Sequence, residues 1–261
     1  MLSDSIMHLT MWGDTGPRVV MVHGSAQGGE YGGDRHFSAQ ARLAERGWQL
    51  VLPDRPGHGR TPPPGRPDDA ALDGELVAEL LGDGAHLVGH SFGGCVALAA
   101  AARRPAAVRS LTLIEPAMAP LAMSHPRVQE QALQLRELFT TAASPTDVAI
   151  GFGKIIRIPP EIRGGSTPAA LDRIGRGLLQ LKLPSPETLR TELAASQGAG
   201  IPLLVVTGGW SPSIEATGDE VASLGGGRRV VIPSDHHFPH IVSDEFNQIL
   251  AEFMTGADAR A

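Results

Sequence analysis

The chain has 261 residues, 42% of them hydrophobic, enough for one sizeable core with an excursion from it and too few for two independent enzymatic domains. Its 22 basic and 28 acidic residues leave a formal charge of −6 and no basic run that could follow a phosphate backbone or hold an anionic membrane surface, so neither nucleic acid nor a membrane is expected as a partner. A lone cysteine, Cys95, rules out an intramolecular disulfide and the usual zinc clusters. Met1 to Trp12 carries neither the basic region nor the apolar core of a secretory signal, and a cytoplasmic monomer or homodimer is the expectation.

In chain order, His8 to Trp12 reads as an antiparallel edge strand, followed by a buried β-branched run at Val19 to His23. A helical stretch near 36–46 closes on Gly47, and the apolar run Trp48 to Pro53 follows. A helix is expected near 68–81, a strand over Ala85 to Gly89, a helix over 92–103 and a strand over Ser110 to Ile114. The last part alternates in the same way, with strands at Pro202 to Thr207 and Arg229 to Ile232 and helices near 215–224 and 243–254. This is the signature of an α/β fold with a mostly parallel central sheet and helices on both faces. The rhythm breaks between Glu115 and Gly200, where helical periodicity near 125–142, 145–156, 168–182 and 185–196 is punctuated by proline and no strand is convincing. Residues 1–115 and 200–261 are therefore expected to form the core, and 116–199 a helical cap over the carboxyl ends of the strands; the alternative is that these helices only complete the outer layer.

Gly89-His90-Ser91-Phe92-Gly93 fits G-x-S-x-G between a strand and a strong helix former, the arrangement that turns a chain sharply and holds a serine exposed. A serine hydroxyl is a weak nucleophile at neutral pH, but the positive end of a helix and a neighbouring base can activate it. The bland reading is a glycine-rich turn that packs a strand on a helix. Three histidines cluster in Asp235-His-His-Phe-Pro-His240, and imidazoles beside a carboxylate are also metal ligands. No H-E-x-x-H pattern and no cysteine partner accompany them, so no metal or cofactor is expected.

His23-Gly24 at a strand end, Asp54-Arg-Pro-Gly-His-Gly-Arg60 after the next, GHSFGG after the third and a late histidine followed by proline together resemble the α/β-hydrolase superfamily. The resemblance covers the whole chain outside the cap. It implies that Phe92 and Ser25, with Ala26 as fallback, supply the two backbone donors of an oxyanion hole, and that His23 braces their loop. Gly28, Gly29, Gly32 and Gly33 then make a loose loop on which the cap can open. The family run of a small residue, histidine, an apolar residue and proline selects His237 as base over His236. The commonest family pattern places an aspartate after the penultimate strand, but Ser211 stands there. Some members take the acid from the preceding strand end, which points to Glu115 here, with Glu215, Asp219 or an acid-free dyad as alternatives.

The serine argues against branches of the family that use an aspartate nucleophile, namely haloalkane dehalogenases and epoxide hydrolases. The resemblance then implies hydrolysis of a small-molecule hydrophobic ester or lactone, with thioesters, carbon–carbon bonds and peroxide-dependent acid chemistry open to the same triad. The expected substrate pocket comprises His23, Gly24, Met118, Phe139, Phe152 and Trp210. A nicotinamide-dependent dehydrogenase is disfavoured, because no G-x-G-x-x-G opens a helix and Tyr31 has Arg35 where Y-x-x-x-K needs lysine. A ligand-binding module on the same fold remains the other alternative, given the absent aspartate.

Overall fold

The computed structural model describes residues 7–25, 27–159, 162 and 167–260. Seven strands, β1 (Leu9–Trp12), β2 (Arg18–Val22), β3 (Gln49–Pro53), β4 (Ala85–His90), β5 (Val108–Ile114), β6 (Leu203–Thr207) and β7 (Arg228–Val231), form one sheet in the order β1-β3-β2-β4-β5-β6-β7. β1 runs antiparallel to β3 and every other neighbouring pair is parallel. The expected α/β fold with a mostly parallel sheet is present.

Side chains alternate across the sheet, which explains the continuous apolar runs: both faces are covered. Val20, Val22, Leu87, Leu111 and Val205 join one core cluster, packed on α3 (Ala70–Glu79) and α4 (Phe92–Arg103). Val19, Met21, Val88, Ile114 and Val206 face the other, where Leu43 of α2 (Ala41–Glu45) and Phe246 and Leu250 of the last helix complete the layer. The helix expected near 36–46 is split into α1 (Gly33–His36), a 3-10 turn over Ser38–Gln40 and α2. The break falls at Phe37, whose ring is wholly buried and whose backbone leaves the helical region. Gly47, at φ +87°, ends the stretch as expected.

Four prolines of the segment 116–199 are helix starts. Helices α5 (Pro126–Thr141), α6 (Pro145–Ile155), α7 (Pro168–Gln180) and α8 (Pro186–Gly198) each open on proline at the first position, where no amide hydrogen bond is lost. His125, Ser144, Thr167 and Ser185 cap them, each side chain accepting a backbone N–H. α6 and α7 cross closely, since a Cβ on Gly175 would lie 1.7 Å from the Pro145 carbonyl oxygen. α5, α6 and α7 contribute walls to the cavity at the carboxyl ends of the strands. α8 behaves differently. It packs on α4, and Leu189 and Leu193 belong to the same core cluster as Val96, so this helix lies in the outer layer of the sheet. The remaining helices are α9 (Pro212–Gly225) and α10 (Glu245–Asp258). Among the described residues, no helix is long and apolar enough to cross a membrane.

Candidate active site

β4 ends at His90 and α4 begins at Phe92, leaving Ser91 alone to make the corner, at φ 55° and ψ −125°. A non-glycine residue pays about 1–3 kcal/mol for such a conformation, so the surroundings must impose it. They do so through glycine. A Cβ at Gly89 would lie 2.4 Å from the Gly93 carbonyl oxygen, and one at Gly93 would lie 2.2 Å from that of Val22. The Ser91 N–H donates to the Ile114 carbonyl at 2.9 Å, while its own carbonyl accepts from Gly94 and Ala117. Ser91 is partly exposed and lines a cavity of about 180 Å³ together with Ser25, Glu115, Phe139, Phe152 and His237.

Glu115 follows β5 directly, also at positive φ (41°), and is 1% exposed. Its Oε2 accepts from His237 Nδ1 at 2.5 Å. Gly208 N–H donates to Oε1 at 2.8 Å, and the Trp210 indole N–H reaches both oxygens at 3.0 and 3.1 Å. Four donor contacts satisfy a buried carboxylate, and His237 Nε2 is left as the nitrogen able to take a proton. Glu215 and Asp219 are engaged elsewhere, both with Arg229; Glu215 also accepts from Thr207 and Gly209. Ser211 caps α9. His236 folds into its own turn, bonded to Ser234 and accepting from Phe238 N–H. Among the described non-glycine residues, positive φ occurs at Ser91, Glu115 and Arg157, and the Arg157 guanidinium lies 5.3 Å over the Trp210 ring. All the backbone strain of this kind surrounds one site.

Phe92 opens α4, so its N–H has no acceptor within the helix and can serve an oxyanion. Ser25 stands on the facing loop, and Ala26 lies outside the described residues. Gly24 touches the serine: a Cβ there would come within 3.0 Å of Ser91 Cβ. His23 braces this loop, its Nδ1 donating to the Gly24 carbonyl at 2.9 Å and its Nε2 accepting from Arg55 N–H at 3.0 Å.

Four of the six expected pocket residues do not wall this cavity. Met118 is fully buried in the core cluster behind α4, because the chain turns back on the Pro116 carbonyl just after β5. Trp210 presents its indole to Glu115 and is not among the side chains that wall the cavity. His23 and Gly24 border a second hollow of about 170 Å³ on the other side of Ser25, with Tyr31 and Arg35. The glycine loop is also not loose. Gly28 N–H donates to the Gly57 carbonyl, Gly59 N–H to that of Gly29, and Gly33 N–H to Asp54 Oδ1. A Cβ on Gly32 would lie 2.0 Å from that same oxygen, so this glycine serves close packing.

Two further residues hold the site, each inside a quoted motif but with no role assigned to it from sequence. Arg55, fully buried, donates to the carbonyls of His23 and Gly24 at 3.1 and 2.8 Å and pairs with Asp68 and Asp73 at 2.8 and 2.7 Å. Burial opposes its charge, but the two carboxylates more than offset that and hold its pKa above the ordinary value. His90 Nε2 donates to the His237 carbonyl at 2.7 Å, which fixes its tautomer, and its Nδ1 accepts from His36 Nε2 at 2.9 Å. Burial first, and the neighbouring His237 and His240 second, push His90 well below the usual imidazole range, so it stays neutral. His36, His90 and His240 carry ring nitrogens within 4.8 Å of one another, the one group among the described residues compact enough for a metal ion. His36 and His90 already satisfy each other. Cys95 is a buried core residue whose thiol burial pushes up to about 12.

The geometry agrees with kinship. Over 120 residues the chain is 39% identical to lipase LipV of Mycobacterium tuberculosis, a match spanning 43% of this chain and 42% of that protein. It is 37% identical over 102 residues to the pimeloyl-[acyl-carrier protein] methyl ester esterase of Neisseria meningitidis, spanning 38% and 36%. The chain thus matches well under half the length of these curated relatives. A carboxylesterase structure from Nitrososphaera gargenis superposes over 100% of this chain and 99% of its own with a TM-score of 0.72 at 16% identity, a likeness of fold. Residues 19–249 match the model of the alpha/beta hydrolase family, and the chain belongs to that family.

Proposed function

We propose that this chain is a serine hydrolase that cleaves carboxylic esters or lactones with a hydrophobic part through an acyl-enzyme. The observation that carries the reading is the buried Glu115–His237 bond, made on the wall of the cavity that also contains the strained Ser91. In this reading Ser91 Oγ attacks the carbonyl carbon while His237 Nε2 takes its proton, and the carbonyl oxygen gathers charge against the N–H groups of Phe92 and Ser25. The tetrahedral adduct collapses, His237 hands the proton to the departing alkoxide, and a water molecule repeats the sequence to release the acid. Glu115 holds the Nδ1–H tautomer and stabilises the imidazolium that forms. No step requires a cofactor. Helices α5 to α7 serve as the cap, and Phe139, Phe152 and Leu135 receive the apolar part of a small-molecule substrate.

Turnover of chromogenic esters tests this. Ser91→Ala should abolish it and Glu115→Gln should lower kcat by about 10³–10⁴-fold, since the amide cannot stabilise the charged imidazole. Undiminished turnover in Ser91→Ala would end the proposal. A ligand-binding module on this fold would instead leave Ser91 inert to a fluorophosphonate probe that labels an activated serine.

A further inference from the structure

The cavity of about 180 Å³ in front of Ser91 shares one side with a hollow on the surface. Its walls at Ala119, Gln131, Leu135, Phe139 and Leu183 are also walls of a shallow groove of about 550 Å³ between α5 and the segment from Leu183 to Pro186. Side chains shared between a chamber and a groove are the partition between them, and a partition built from alanine, glutamine and three hydrophobic residues is thin. Beyond it the groove continues over Pro120, Met123, Val128 and Ala132, with Arg136 the one charged residue along its length. Met123 is 42% exposed and Leu183 39%, so apolar side chains are left facing water along this track.

The chamber alone is small. It encloses about 180 Å³, against about 550 Å³ for the groove beside it. The hollow on the opposite side of Ser25 has a mixed lining, with Glu30, Arg35 and three histidines facing Leu171, Ile174 and Phe238.

We infer that the chamber and groove are one passage, and that the apolar part of the substrate is a linear acyl chain longer than the chamber, running from the carbonyl at Ser91 past Leu135 and Leu183 to the surface beside α5. The inference rests on Ser91 being the nucleophile, and it concerns only the substrate's length and shape. An open far end imposes no cut-off in chain length, whereas a closed chamber rejects chains beyond its own depth.

The test is kcat/KM for p-nitrophenyl butanoate, hexanoate, decanoate and dodecanoate, each below its critical micelle concentration, in wild type and Ala132→Trp. Ala132 lines the groove and not the chamber and is half-buried on α5. In wild type the dodecanoate value should equal or exceed the hexanoate value, and in Ala132→Trp the dodecanoate-to-butanoate ratio should fall at least tenfold. A drop of more than tenfold from hexanoate to dodecanoate in wild type, or an unchanged ratio in Ala132→Trp, would overturn the passage. Butanoate turnover that disappears in Ser91→Ala would leave the nucleophile standing in either case; butanoate turnover that survives would sink the nucleophile instead.

Discussion

At the scale of single residues, the site is marked by conformational cost. Ser91 and Glu115 both hold positive φ, a state that glycine adopts freely and other residues do not. Ser91→Ala keeps a Cβ and therefore the strain, whereas Ser91→Gly releases it. Denaturant unfolding should find Ser91→Gly more stable than Ser91→Ala by about 1 kcal/mol or more, although glycine normally destabilises a helix boundary relative to alanine. The reverse order would mean that the corner is not strained in solution. Residue chemistry made Ser91 and His237 legible: a hydroxyl between glycines at a strand end and an imidazole after the last strand have few other uses together. Glu115 is legible through the absence of an acid at Ser211, but the contacts that hold it are not. Its partners, Gly208 N–H and the Trp210 indole, come from the loop where the commoner aspartate would stand. Trp210 thus supports the acid from the position expected of a pocket residue.

At the scale of elements, the strands were readable because burial on both faces leaves only apolar, β-branched residues, and the inserted helices because each begins with a capping residue and proline. What periodicity does not encode is which layer a helix joins. Met118 and α8 both belong to the packing around α4 although they lie within the inserted segment. Arg55 stands inside the Asp54–Arg60 motif, but what it holds is hidden in the sequence for a related reason: Asp68 and Asp73, from the start of the α3 region, meet it only in the fold. Its removal leaves the buried Asp68 without its guanidinium partner and Asp73 with Arg66 alone. Arg55→Met should therefore cost about 3–5 kcal/mol of stability in chemical denaturation and loosen the Ser25 loop, raising KM for every ester. A loss below about 1 kcal/mol would show that the network is hydrated.

At the scale of the whole molecule, an unusual number of imidazoles is sealed inside. His23, His36, His58, His90 and His240 are all held well below the usual 6.5, in each case mainly by burial. The unfolded chain therefore binds protons that the folded chain refuses, so stability is complete above about pH 6.5 and declines as the pH falls below it. Each histidine contributes up to about 1.4 kcal/mol per pH unit to the decline. Urea midpoints measured at pH 7.5 and 5.5 should differ markedly, with the acid sample less stable; equal midpoints would mean that these rings titrate freely in the fold. His36→Gln and His240→Gln, which remove two of the groups, should flatten the slope.

The corner at Ser91 is hydrogen-bonded to the end of β5, and the backbone of Glu115 to the end of β6. Both are riveted to the floor of the sheet, whereas His237 is suspended over them by the Glu115 carboxylate and by the His90 ring beneath its carbonyl. Gentle warming or mild cosolvent will unhitch the suspended partner while the floor stays intact, so turnover should fade reversibly before circular dichroism registers any melting.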